Sequence, residues 1–318
     1  MSKTNSSCLS WRLAGSSILL AAVICFTLNI RYLTWYQRQP SRNPLILSLF
    51  IVSLLVLLVS VPSVSIQLLS CRYFCGQTIC RVEGFTSFLC GCLCMLTYMA
   101  LSINRCLLFD QFDQQVFCRC AAILCWTISF IWTLVPVFNY LSSYVYEGLG
   151  FHCSINWYDQ TQLNRFYILV SFIGIYFIPL IILISVNLIL QHRVRNIYFH
   201  PALHYQCTSV VLRNEHRHLQ GQTRIQIESI RKANDRKRLR VQYRFAQSIL
   251  YLVGAYLFAW TPYSILALLQ IFHVQFIFEN GFYVTLSALI AKFSVILSPV
   301  IYLSIMRSHL LKRILFPR

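Results

Sequence analysis

Seven long apolar runs organise the chain, at 14–36, 44–69, 80–108, 118–140, 164–190, 243–272 and 281–303. Each reaches the roughly 20 residues that a helix needs to cross the hydrocarbon of a bilayer. In lipid a helix satisfies its own backbone, and the short alternating segments of a membrane barrel are missing here. The pattern therefore predicts an all-α fold, a seven-transmembrane helix bundle spanning 14–303. Residues 1–13 are left as a polar N-terminus, and about 191–242 as a long loop without a strong apolar run. In the tail, 304–318, Ile305, Leu310, Leu311, Ile314 and Leu315 alternate with bases, which predicts a short amphipathic helix lying on the membrane surface. Asn43-Pro44 opens the second run with a proline suited to a first helical turn. Pro179 and Pro262 predict kinks in the fifth and sixth helices, because each removes a backbone hydrogen bond.

Composition agrees with the pattern. Of 318 residues, 57% are hydrophobic and only 11% charged, with mean hydropathy +0.61, which excludes an ordinary soluble domain. No small-x-small cleavage site follows an early apolar region, so residue 14 onward is read as the first span and not as a leader. The net charge of +18, from 27 Lys and Arg against 9 Asp and Glu, is unevenly placed. Arg38 and Arg42, Arg105 and Arg119, the block from Arg231 to Arg244, and Arg307, Lys312, Arg313 and Arg318 lie at one set of span ends. By the positive-inside rule those ends are cytoplasmic and the N-terminus is extracellular. Topology and anionic membrane lipid explain these bases, so no nucleic acid is read as a partner. Asn5-Ser6-Ser7 is then a glycosylation sequon exposed to the secretory lumen, although an unmodified tail fits the same residues.

Against this apolar background one charge stands out. Lys292 lies in the middle of the seventh run, about 16 Å from either end at roughly 1.5 Å per residue, too far for its stem to snorkel. A lysine at that depth costs about 2.5 to 3.5 kcal/mol on insertion scales, and such residues face the protein interior and carry function. Glu83 is a second intramembrane charge, three residues after Cys80 and so on the same helical face. Two opposite charges in one bundle cost much less as a pair than apart. Of the fourteen cysteines, Cys25, Cys90, Cys92, Cys94 and Cys125 lie inside apolar runs and read as small buried hydrophobes. Cys90-x-Cys92-x-Cys94 lacks the context of a metal site, and no metal is expected. Cys8, Cys71, Cys75, Cys80 and Cys153 form the outer set, and a bridge among Cys8, Cys71 and Cys75 is open.

Six residues after Lys292 begins Ser298-Pro299-Val300-Ile301-Tyr302, which resembles the Asn-Pro-x-x-Tyr ending of the last helix in rhodopsin-like (class A) G-protein-coupled receptors. In the opsin branch of that family a lysine stands seven residues before the proline, as Lys292 does before Pro299, and holds retinal as a Schiff base. The resemblance runs from Ala14 to Tyr302. It takes in Asn29 in helix one, Trp126 in helix four, the string Glu83-Gly84-Phe85-Thr86-Ser87-Phe88-Leu89-Cys90-Gly91, and Ala259-Trp260-Thr261-Pro262-Tyr263. It implies a light-sensing receptor with retinal as cofactor, a heterotrimeric G protein as partner and no enzymatic role. By the same resemblance Glu83 is the counterion and Glu147, six residues before Cys153, a possible second one. Trp260, Tyr263, Ser87, Gly91 and Ala288 would line the pocket, and Cys80 and Cys153 would form the bridge. The outer loop 146–158 looks like the hairpin lid of opsins, and within it His152 reads as an ordinary loop histidine. Arg105 and Tyr302 match positions that meet the G protein.

The inner half departs from the family. Val56 stands where an aspartate is usual, so the polar centre joining helices two and seven is expected to be absent, and Ser298 replaces an asparagine. Asn104 replaces the acid before Arg105, Gln242 replaces the acid that holds that arginine at rest, and Asn187 replaces a tyrosine of helix five. The usual inner ionic lock cannot form. A retinal photoisomerase of the same fold, and a chemically gated receptor without chromophore, remain as alternative readings of these residues.

Overall fold

A computed structural model describes residues 2–38, 42–71, 76–107, 113–199, 250–251, 253–272 and 281–306. Helix α1 covers Ser2–Gln37. Helix α2 consists of Pro44–Leu55, a π-helical turn at Val56–Ser60, and Val61–Ser70. Helix α3 covers Gln77–Leu107 and α4 Gln114–Leu134. Between α4 and α5 lies a hairpin of β1 (Tyr144–Glu147) and β2 (His152–Ile155). Helix α5 runs through Gln162–Ser171, a π-helical turn at Phe172–Phe177, and Ile178–Phe199. The described part of α6 is Val253–Ile271, and α7 covers Gly281–Met306.

Local chemistry sets several of these boundaries. The Asn43 side chain accepts from the Leu45 amide at 3.0 Å and caps α2, with Pro44 behind it. Asp113 caps α4 in the same way by accepting from the Gln115 and Val116 amides. Both π-helical turns end just before a proline, Pro62 in α2 and Pro179 in α5. A proline cannot donate to the preceding turn and its ring crowds the carbonyl there, so widening the helix by a residue relieves the clash. The expected kink at Pro179 thus takes the form of a π bulge one turn earlier.

Helix α3 is the axis of the bundle: 78% of its membrane window is buried, against 28% for α4 and for α5. The exposed side of α4 presents Ile123, Leu124, Ile128 and Ile131, a face that belongs against lipid. The hairpin closes the outer end of α3. Its Tyr144 hydroxyl donates to the Thr133 carbonyl at 2.7 Å, and its ring lies over Gly84, where a Cβ would come within 2.7 Å of it. Glycine at 84 is what lets the lid sit so close. Gly148 and Gly150, at φ 60° and 82°, make the turn.

Three expectations change here. The first helix begins at Ser2, twelve residues before the apolar run, so most of the segment read as an N-terminal tail is helical. It is tied down by a Cys8–Cys71 disulfide, with Cα atoms 5.9 Å apart, and by Arg12 Nε donating to the Leu69 carbonyl at 3.1 Å. Helix α5 likewise continues past the apolar run to Phe199, because a helix that completes its own hydrogen bonds need not stop where hydrophobicity does. The polar centre is reduced and not absent: buried Asn29 donates to Ser53 Oγ at 3.2 Å, and Ser53 donates to the Ile296 carbonyl at 3.4 Å. Those bonds link α1, α2 and α7 although Val56 has no polar atom. The side chains of Asn5, Arg105, Ser298 and Tyr302, the residues Cys75 and Gln242, most of the 191–242 loop and the 307–318 part of the tail lie outside the described residues.

Candidate functional site

Lys292 projects from the middle of α7 into the bundle, with 14% of its side chain exposed, and its ammonium is ion-paired with Glu83 Oε1 from α3. The carboxylate is 1% exposed and fully engaged. Its Oε1 also accepts from Ser87 Oγ at 3.0 Å, and Ser87 meets Ser60 of the α2 π turn at 3.0 Å. Its Oε2 accepts the backbone amide of Cys153. The Cys80–Cys153 disulfide fixes that amide, since it ties β2 to the helix that carries Glu83. Removing one partner of such a buried pair costs about 3 to 5 kcal/mol, because the other charge is left without compensation.

Lys292 opens into a cavity bounded by the hairpin, α3, α5, α6 and α7. It holds about 870 Å³ of non-atom space, its open mouth included. The walls are aromatic and aliphatic: Phe88, Trp157, Phe172, Tyr176, Tyr256, Trp260 and Tyr263 face it, with Ser87, Gly91 and Ala288. Trp260 is stacked on Tyr256 at 5.4 Å and donates its Nε1 hydrogen to Ser294 Oγ at 3.1 Å. A Cβ at residue 91 would lie 2.8 Å from the Trp260 ring, so only glycine lets the indole settle against α3. Tyr256 completes the wall by donating to the Gly91 carbonyl at 2.9 Å.

A second carboxylate sits higher, in the lid. Glu147 is 1% exposed; its Oε2 accepts from the Tyr263 hydroxyl at 3.0 Å and lies 3.1 Å from His152 Nε2. Trp157 Nε1 donates to the Tyr263 oxygen at 3.0 Å and to Ser154 Oγ at 3.1 Å, extending the network. Just outside, burial raises the Tyr158 phenol, whose oxygen accepts from the Gly148 amide at 3.4 Å. Among the described residues no ion pair joins Glu147 to Lys292.

The family model "7 transmembrane receptor (rhodopsin family)" matches residues 18–302. The chain belongs to the rhodopsin family of seven-transmembrane receptors. It is a multi-pass membrane protein. It is 27% identical over 310 residues to "Rhodopsin, G0-coupled" of Mizuhopecten yessoensis, covering 92% of this chain and 69% of that protein. To "Melanopsin-B" of Xenopus laevis it is 24% identical over 299 residues, covering 91% of this chain and only 51% of the relative's length. The crystal structure of squid rhodopsin superimposes with a TM-score of 0.77 at 22% identity, over 93% of this chain and 81% of that one, and shares the seven-helix fold.

The receptor brings Lys292, Glu83, Ser87, Gly91, Trp260, Tyr263 and Ala288 to one cavity, and sets Glu147 behind Tyr263. Arg105 and Asn104 lie in the inner part of α3, and Tyr302 in the inner part of α7. His152 departs from the reading of an ordinary loop histidine, being 0% exposed and paired with Glu147. The signal was available: Gly148 and Gly150 place a tight turn between them, which makes residues 147 and 152 cross-strand partners. Tyr256, one turn before Trp260 on the same helical face, was also legible. Ser60 and Ser294 were not, since nothing in their neighbourhood marks them among many intramembrane serines.

Proposed function

We propose that this receptor is a light sensor that binds retinal covalently through Lys292 and signals to a heterotrimeric G protein. The observation that carries the reading is the buried amine of Lys292, paired with Glu83, at one side of an aromatic cavity. An elongated apolar aldehyde suits that cavity: the amine is its reactive end, and the walls that hold the remainder are rings and aliphatic groups. The similarity to a G0-coupled rhodopsin and to a melanopsin supports the same reading.

Bound there, retinal supplies absorption of visible light and a double bond that isomerises. The chain's own residues do the rest. Lys292 provides the point of attachment, and Glu83 supplies a negative charge beside it. Ser87 and the Cys153 amide hold that carboxylate in place, so the charge needs no reorganisation when the state of the amine changes. Burial strengthens the interaction, because the dielectric around it is far below that of water. Trp260 and Tyr256 form a wall on α6, and Pro262, which leaves a backbone hydrogen bond of that helix unmade, makes it the element for a change of ligand shape to move. Arg105 and Tyr302 are the proposed contacts at the cytoplasmic face, the N-terminus is proposed to be extracellular, and Asn5 a glycan acceptor. No enzymatic turnover is proposed.

The test is an absorption spectrum of the purified protein after addition of 11-cis-retinal, followed by illumination with each main class of G protein present. A band at longer wavelength than the free aldehyde, lost in Lys292→Ala, and light-dependent nucleotide exchange are the expected results. Photoconversion without exchange on any G protein would leave a retinal isomerase or store, and no band would leave a chemically gated receptor.

A further inference from the structure

We infer that His152 assigns the two carboxylates of the site, holding Glu147 in the lid and so leaving Glu83 as the sole partner of Lys292. The inference rests on the reading of Lys292 as the functional amine and adds a positioning residue that the reading does not require.

Neighbouring residues of β2 hold the two acids apart. Cys153 gives its backbone amide to Glu83 Oε2, on the side of Lys292. His152, one residue earlier and therefore directed to the other face of the strand, meets Glu147 Oε2 at 3.1 Å. The cross-strand register places residues 147 and 152 opposite each other. From α6 the Tyr263 hydroxyl reaches the same oxygen at 3.0 Å, and Tyr158 stands beside the turn that follows Glu147. His152 and Lys292 both line the cavity, and without its imidazole Glu147 would be a buried carboxylate with, among the described residues, the Tyr263 hydroxyl for a side-chain partner. A buried anion left short of partners gains most by pairing with a cation. His152 Nδ1 has no hydrogen-bond partner among the described residues, so the ring is held chiefly through Glu147.

The test uses the reactivity of Lys292 in the protein without retinal. Reductive methylation by formaldehyde and cyanoborohydride needs the free amine, and peptide mass spectrometry reads residue 292 by itself. At neutral pH, Glu83→Gln is expected to speed methylation of Lys292 about tenfold, because the amine is released from its ion pair. Adding His152→Leu is expected to return it towards the unsubstituted rate, because Glu147 is released to the amine. His152→Phe, closer in volume, is run in parallel, with thermal melts to establish that each variant is folded. With retinal added, the visible band lost in Glu83→Gln is expected to return in the double variant. Two outcomes overturn the inference: Glu83→Gln alone methylating as slowly as the unsubstituted chain, or both double variants methylating as fast as Glu83→Gln. A protein that shows the methylation pattern and yet forms no band in any variant refutes the retinal reading and leaves the role of His152 standing.

Discussion

The outer and inner halves of this receptor are built on different terms. In the outer half the groups that build the site and its frame are paired: Lys292 with Glu83, Glu147 with His152 and Tyr263, Cys80 with Cys153, and Cys8 with Cys71. In the inner half the polar ties among the described residues are sparse. Among the described residues Asn187 donates within its own helix, to the Leu183 carbonyl at 2.7 Å, and Asn104 Oδ1 is buried without a hydrogen-bond partner. Val56 contributes no polar atom where the family has an acid, and the Asn29–Ser53–Ile296 link is a modest substitute. The difference teaches that holding a ligand and transmitting its state are separable in this chain. Charges buried in lipid must be matched or the fold fails, which constrains the site tightly.

Substitutions at four places sharpen that comparison, the first having the largest effect. Lys292→Ala is expected to abolish the visible band in the presence of retinal and to leave Glu83 without its cation, lowering stability by about 3 kcal/mol; absorption and a thermal melt read the two effects. Cys80→Ser or Cys153→Ser is expected to cost about 2 to 5 kcal/mol, because the bridge closes a long loop and also fixes the amide that holds Glu83. A melt of each variant against Cys8→Ser checks this, and the Cys8 variant should keep the spectrum of the parent. If Cys8→Ser shifts the band as much, the division between site and periphery is wrong. Asn104→Glu supplies the missing acid next to Arg105. It is expected to lower nucleotide exchange in the dark by about fivefold, the equivalent of about 1 kcal/mol, with the band unmoved. A moved band would show the halves to be coupled.

The smallest effect concerns the rim of the lid. Burial raises the Tyr158 phenol above its ordinary value of 10.0, with the Glu147 carboxylate adding to the rise. The folded state therefore favours the protonated phenol. Its contribution is complete below pH 10 and is lost as pH climbs from there through the raised value. Tyr158→Phe is expected to flatten the alkaline end of the stability profile and to cost about 1 kcal/mol at neutral pH, measured by melts across that range.

What the sequence determined by itself follows from rules that act locally or against a uniform solvent. Seven apolar runs long enough for lipid specify seven helices, and the bases at alternate ends specify an orientation, because the bilayer imposes the same cost on every segment. The depth of Lys292 within its run marked it as a functional candidate, and the spacing to Pro299 attached it to a family. Tertiary structure alone decided which acid meets that lysine. Glu83 and Glu147 are both buried carboxylates with plausible reach. Only the packing of β2 against α3 puts the Cys153 amide behind Glu83 and the His152 ring behind Glu147. The same holds for Cys8, whose partner Cys71 was one of several choices until the first helix was found to continue to Ser2. Pairing between residues far apart in the chain depends on distances of a few ångströms across a packed interface, and periodicity along the chain carries no information on that scale.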